Sequence, residues 1–127
     1  MCSGKVYYDL AAARDEAKAW DVEILRLEQL YPFPTKAVTE ALEAVPNADI
    51  VWCQEEPKNM GSWTFVRDFI EESMAHAGSK QSRPIYAGRA AAASPATGSL
   101  SRHKLEQQTL VTDALGFDKE SGKAAAE

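Results

Sequence analysis

Apolar positions along this chain change their period several times, and each change marks a new element. From Lys5 to Lys18, Val6, Leu10, Ala13 and Ala17 recur at the spacing of one helical stripe. Ser3 and Gly4 stand where a cap belongs. Val22, Ile24 and Leu27, set among Glu23, Arg26 and Glu28, read as a short strand. Tyr31-Pro32-Phe33-Pro34 continues neither element, because each proline lacks an N–H and restricts the residue before it. Thr35 then caps a second helix with Val38, Ala41, Leu42 and Val45 on its inner face, closed by Pro46-Asn47. Asp49-Ile50-Val51-Trp52-Cys53 is a nearly continuous apolar run, the pattern of a strand covered on both faces in a parallel sheet. A polar loop, Gln54 to Gly61, follows it. Ser62 caps a third helix with Trp63, Val66, Phe69, Ile70 and Met74 on a broad apolar side, ended by Gly78. Pro84-Ile85-Tyr86-Ala87 is the third strand, and Gly88 to Ser99 is a long loop of small residues. Ser101 opens a fourth helix that turns Val111, Ala114 and Leu115 inward and stops at Gly116.

The order is helix, strand, helix, strand, helix, strand, helix. Such alternation predicts an α/β fold with helices on both faces of a parallel sheet. A helix opens the chain with no strand before it, and three strands make a small sheet for four helices. The pattern points to an N-terminal side cut from something longer.

The chain has 127 residues, 26% of them charged and 45% hydrophobic, which suits one folded domain rather than a disordered polymer. Its net charge of −5 argues against sequence-independent nucleic-acid binding, which needs clustered cations. Apolar runs stop at about five residues, far below the roughly 20 of a membrane span. No apolar secretory core follows the first residues. Cys2 and Cys53 are too few for a disulfide framework and read as reduced thiols of a cytosol-like compartment.

Two segments carry candidate chemistry. Glu55 and Glu56 follow a presumed parallel strand, at the end where open α/β sheets place ligands. Sharing a shielded crevice, one carboxylate would keep its proton and the two could act as acid and base; otherwise one faces solvent and the other bonds backbone or a cation. Arg89 heads the small-residue loop. Its planar fork suits a phosphate or carboxylate, with Ser94, Thr97 and the N-terminus of the last helix as further donors. A structural Arg–Glu pair is the other reading. His103 either helps such an anion site or caps the helix. Neither His76 nor His103 has a partner at metal spacing. Ser3-Gly4-Lys5 lacks the upstream glycine and strand of a phosphate loop. Trp20, Trp52 and Trp63 read as packing residues.

Four longer strings resemble one family. They are Cys2-Ser3-Gly4-Lys5-Val6-Tyr7-Tyr8-Asp9-Leu10, Arg26 through Pro34, Trp52 through Gly61, and Tyr86-Ala87-Gly88-Arg89 with Ser94 through Gly98. In this order they are similar to the C-terminal region of the thiamine-diphosphate-dependent first component of the 2-oxoglutarate dehydrogenase complex. The likeness runs from Cys2 to Phe117. It implies a transketolase C-terminal-like domain over residues 1–117, with residues 118–127 as a disordered tail.

That domain is a three-layer α/β/α sandwich on a five-stranded, mostly parallel sheet. The resemblance places two of its strands upstream of Cys2. The second of them would lie centrally, between the strand near Val22–Leu27 and the strand near Ile50–Cys53, and here is missing or a stub. A sheet short of an internal member exposes two rows of backbone donors and acceptors, so the isolated chain is expected to aggregate or oligomerise.

The family oxidatively decarboxylates 2-oxoglutarate and passes the succinyl unit to a lipoyl group in the tricarboxylic acid cycle. The substrate pocket lies mostly in other domains, which leaves 2-oxoadipate as an alternative substrate. Thiamine diphosphate and magnesium serve the full-length family through a Gly-Asp-Gly motif, and this chain has none. The resemblance therefore implies a structural or regulatory domain, inactive alone. Its partners would be the remaining domains, the homodimer mate and the lipoyl succinyltransferase, with Glu55, Glu56, Lys58 and Asn59 facing the neighbouring domains. Arg89, Ser94, Thr97 and His103 would meet an adenine-nucleotide or acyl-CoA effector. The setting would be the bacterial cytoplasm, or the mitochondrial matrix of a eukaryote. The alternative is a stand-alone anion-binding or interaction module derived from the same domain.

Overall fold

The computed structural model describes residues 1–95 and 98–117. Thr97 and the expected tail, 118–127, lie outside them. The elements are α1 (Val6–Ala17), α2 (Thr35–Glu43), β1 (Val51–Pro57), α3 (Trp63–Ala77), β2 (Ile85–Arg89) and α4 (Leu100–Leu115). The architecture is mixed α/β, and β1 and β2 pair in parallel.

β1 divides the molecule. Successive residues of a strand point to opposite faces. Trp52 joins one core, with Leu42 of α2 and Val66, Ile70 and Met74 of α3. Cys53 joins the other, with Val6 and Leu10 of α1 and Leu110 and Leu115 of α4. A fully buried Val, Ile or Met contributes about 1.5–3 kcal/mol, against about 0.5–1.5 for a net hydrogen bond. Packing on β1, more than the ladder itself, holds the two halves together.

The expected strand over Val22–Leu27 shrinks to a single parallel bridge at Arg26. A strand needs a neighbour, and this one has a neighbour one residue long. Cys2 bridges Arg26 on one side and Cys53 on the other. Its N–H donates to the Leu25 carbonyl (3.0 Å) and its carbonyl accepts from the Leu27 N–H (2.8 Å). The Met1 carbonyl accepts from the Cys53 N–H at 2.9 Å. Met1–Ser3 therefore runs between the Leu25–Leu27 segment and β1, joined to each by an isolated parallel bridge at Cys2.

Both paired strands end later than expected. β1 begins at Val51 and runs on through Gln54, Glu55 and Glu56, which the sequence reading assigns to a loop. They stay extended because Gln54 is buried with its amide fully engaged. β2 likewise takes Gly88 and Arg89 from the small-residue loop. A side chain at Gly88 would put its Cβ 2.5 Å from the Tyr86 hydroxyl, so glycine lets the tyrosine fold back over its own strand.

Helix starts differ in detail. Ser3 does not cap α1; its hydroxyl donates to the Leu27 carbonyl at 2.8 Å. Thr35 is the first residue of α2, after Pro34, and Ser62 precedes α3 without a side-chain cap bond. The true cap of α4 is Ser99, which accepts from the Arg102 N–H, so the helix starts one residue before Ser101. Gly78 and Gly116 end α3 and α4 in the left-handed region, as their sequence positions suggest. Trp52 and Trp63 are buried, but Trp20 is 69% exposed, in the turn after α1. Among the described residues, no helix is long and apolar enough to cross a membrane.

The Met1 amine donates to the Val51 carbonyl at 2.6 Å, and burial pushes its pKa below 8.0. An unfolded chain holds that proton up to about pH 8, whereas the folded chain sheds it earlier. Stability should therefore rise with pH from the folded value up through 8.0. Urea midpoints measured across this window should climb, and acetylating the amine should flatten the slope.

Candidate functional site

The C-terminal ends of β1 and β2 meet the first turns of α1 and α4, and the polar residues of all four converge there. Arg89 sits in the middle, 8% exposed. Its Nε donates to Glu106 Oε2 (3.0 Å), Nη1 to the Glu55 carbonyl (2.6 Å) and Nη2 to Gln107 Oε1 (3.0 Å). Nη2 also lies 3.4 Å from the His103 carbonyl and 3.5 Å from its Nδ1. The fork thus ties the end of β1 to α4 through protein acceptors on every nitrogen.

Around it the charges balance. Glu55 Oε1 accepts from Lys5 Nζ (2.8 Å) and from Gln107 Nε2 (2.9 Å). The hydrogen bond to Glu55 holds the Lys5 ammonium above its ordinary pKa. Gln107 Nε2 also reaches Asp9 Oδ2 at 2.8 Å, and Arg102 Nε reaches Glu106 Oε1 at 3.3 Å. Lys5, Arg89 and Arg102 thus face Asp9, Glu55 and Glu106.

The neighbouring turn is held by backbone capture. Gln54 Oε1 accepts from Trp52 Nε1 (3.0 Å) and from the Trp63 N–H (2.9 Å). Its Nε2 donates to the carbonyls of Pro57 (3.0 Å) and Met60 (2.8 Å). Gly61, at φ 64°, closes the turn; a Cβ there would lie 2.9 Å from Glu56 Oε2 and 3.1 Å from Gln54 Nε2. Asn59 bonds Ala92 in both directions at 3.0 Å, as a strand partner would. The Lys58 N–H donates to the Arg89 carbonyl (3.0 Å), which also accepts from the Tyr86 hydroxyl (2.7 Å). Burial pushes the Tyr86 phenol up to about 12, so it remains a donor at neutral pH.

The sequence-derived candidates separate into three places. Glu55 and Glu56 are neighbours on a strand and point to opposite faces, so they do not share a crevice. Glu55 belongs to the Arg89 cluster, while Glu56 is exposed beside Gly61. Lys58 and Asn59 form the outer face of the turn, and both are exposed. Arg89 and Ser94 line one small cavity of about 260 Å³, together with Pro57, Arg102 and Glu106. His103 faces instead a groove of about 740 Å³ between α1 and α4, beside Asp9, Lys104 and Gln107. Gln54 and Tyr86 lie within the strings that carry the resemblance but receive no role from the sequence, and Gln107 lies in none of those strings. Among the described residues, no group of three or more His, Cys, Asp or Glu is placed to hold a metal ion.

Comparison with known proteins agrees with the resemblance. The family described as "2-oxoglutarate dehydrogenase C-terminal" matches residues 1–115. The chain is similar to the "2-oxoglutarate dehydrogenase E1 component" of Brucella anthropi and to that of Brucella ovis. Each is 53% identical over 116 residues, which are 91% of this chain and 12% of the relative. The chain spans about an eighth of the length of these relatives. Near-complete coverage by the family, over the segments that build the Arg89 cluster and the Gln54 turn, shows that the chain belongs to the 2-oxoglutarate dehydrogenase C-terminal family.

Proposed function

We propose that the chain buttresses a thiamine-diphosphate-dependent decarboxylase of 2-oxoglutarate, as the C-terminal domain of its first component. The observation that carries this reading is the neutralised Arg89 cluster. It rigidly joins β1, β2, α1 and α4, yet its donors and carboxylates are spent on one another, so it holds a surface in place without offering a free acid or base. The residues of this chain do not fit the magnesium diphosphate: no Gly-Asp-Gly occurs, and the described residues hold no cluster of metal ligands. No catalytic step is assigned to them. The chemistry belongs to the rest of a longer enzyme, which hands succinyl to a lipoyl partner.

In this reading residues 1–117 form a transketolase-type α/β/α sandwich whose central strand is represented here by Met1–Ser3. The turn bearing Glu56, Lys58 and Asn59 faces the neighbouring domains and the homodimer mate. An anionic effector of the adenine-nucleotide or acyl-CoA class would enter the 260 Å³ cavity at Ser94 and Arg102, with Arg89 behind them as support. His103 would act from behind Arg89, its Nδ1 3.5 Å from Arg89 Nη2, and Thr97 lies outside the described residues. The stand-alone anion module is the less favoured reading, because the matched relatives carry this segment as one end of a much larger enzyme.

Three measurements test this. Titrating the chain with thiamine diphosphate and magnesium should give no saturable binding. A chimera in which Met1–Phe117 replaces the matching segment of the Brucella anthropi relative should decarboxylate 2-oxoglutarate within about tenfold of the parent, or 1.4 kcal/mol of barrier. A chimera that folds and binds cofactor but turns over no substrate would refute the reading. Arg89→Ala in the 127-residue chain should cost about 3–5 kcal/mol in urea unfolding, the range for breaking a buried ion pair. A loss below 1 kcal/mol would show that the cluster does not hold the fold.

A further inference from the structure

The two helices of the second core, α1 and α4, leave a trough between them on the outside of the molecule. We propose that it receives an amphipathic helix of a second polypeptide: an aliphatic stripe edged on one side by two cations seven residues apart and on the other by a carboxylate. This surface is independent of the decarboxylase reading above.

The walls argue for a helix. α1 and α4 meet where Gln107 Nε2 donates to Asp9 Oδ2 at 2.8 Å. From that contact a trough of about 740 Å³ extends between them to Ala17 and Phe117. Both walls are whole helices closed by left-handed residues, Lys18 and Gly116, so the trough is built within the chain and owes nothing to its first residues. Ala12, Ala13 and Ala17 give the α1 wall a low profile, and Val111 and Phe117 are half-buried on the other side. Small side chains let a third axis come to about 8–10 Å. A helical wall has no open row of N–H and C=O groups, so only side chains recognise the occupant. An extended segment would leave its own backbone unpaired there; a helix pairs it internally.

The rim argues for its charges. Asp9 and Glu16 stand on the α1 side, two turns or about 10 Å apart along the axis. His103 and Lys104 stand on the α4 side, and all four are exposed. One wall is therefore acidic and the other basic. The Gln107 amide that bonds Asp9 is neutral and leaves the carboxylate its charge. Lys5, which Asp9 also attracts, is held by Glu55 at 2.8 Å. Cations seven residues apart on a partner helix repeat every two turns, the spacing of Asp9 and Glu16. A carboxylate on its other edge meets Lys104. A helix with one sign of charge on both edges faces a like charge on one wall, so the rim selects against uniformly acidic or basic partners.

The probe is an acetylated and amidated peptide of three Ala-Ala-Gln-Leu-Lys-Ala-Glu repeats, titrated into the 127-residue chain. Its lysines and glutamates lie on opposite edges of the Ala-Leu stripe. The expected result is saturable binding, with backbone amide shifts concentrated at Ala12, Ala13, Val111 and Thr112. A second peptide with glutamine at every lysine and glutamate keeps the stripe and should bind about tenfold more weakly. Glu16→Lys and Lys104→Glu, with far-UV spectra matching the parent, should each weaken the charged peptide at least about threefold and leave the glutamine peptide within about twofold. Any one of five results overturns the proposal. They are no saturation up to about 1 mM, equal binding of the two peptides, and charged-peptide binding untouched by both substitutions. The fourth is binding only after residues 118–127 are removed, which makes the chain's own end the occupant. The fifth is a dimer of the chain that Lys104→Glu dissociates, which makes the occupant a second copy.

Discussion

Everything in this fold leans on β1 as a shared wall. Parallel strands cannot face water on either side without losing the burial that stabilises them. β1 meets that constraint by sending Trp52 into one core and Cys53 into the other. The two cores consist of different helices, α2 with α3 and α1 with α4, and each uses this strand as its floor. A defect in β1 therefore reaches both halves, whereas a defect in one helix pair is confined by the strand to its own side.

The polar end of β1 follows the same logic. A strand that leaves its apolar run but stays buried must find partners for its polar groups. Gln54 does this for the turn, and Arg89 does it for the junction with α4. Both act mainly on backbone carbonyls or on side chains already fixed to helices. Their effect is positional: they hold the exposed Lys58 and Asn59 over a frame that cannot easily shift.

The helices are legible in the sequence because burial at Val6 and Leu10, or at Val66, Ile70 and Met74, repeats with the helical period. Arg89 and Glu55 are legible as important residues, though not as partners in one cluster, since 34 positions separate them and only the topology brings them together. The strand ends are misread for one reason. Gln54–Glu56 and Gly88–Arg89 look like loop, and polarity is a poor guide where long-range hydrogen bonds satisfy the polar groups. The failed strand at Val22–Leu27 has the reverse cause: its pattern suits a strand, but pairing depends on a neighbour that is one residue long.

The reciprocal bonds between Asn59 and Ala92 splice two segments that are 33 residues apart into one edge. A docking protein that grips either segment meets the other already in register. Little conformational freedom is left there to lose on contact, so an interface built on this corner would be favoured by its prior order rather than by its area.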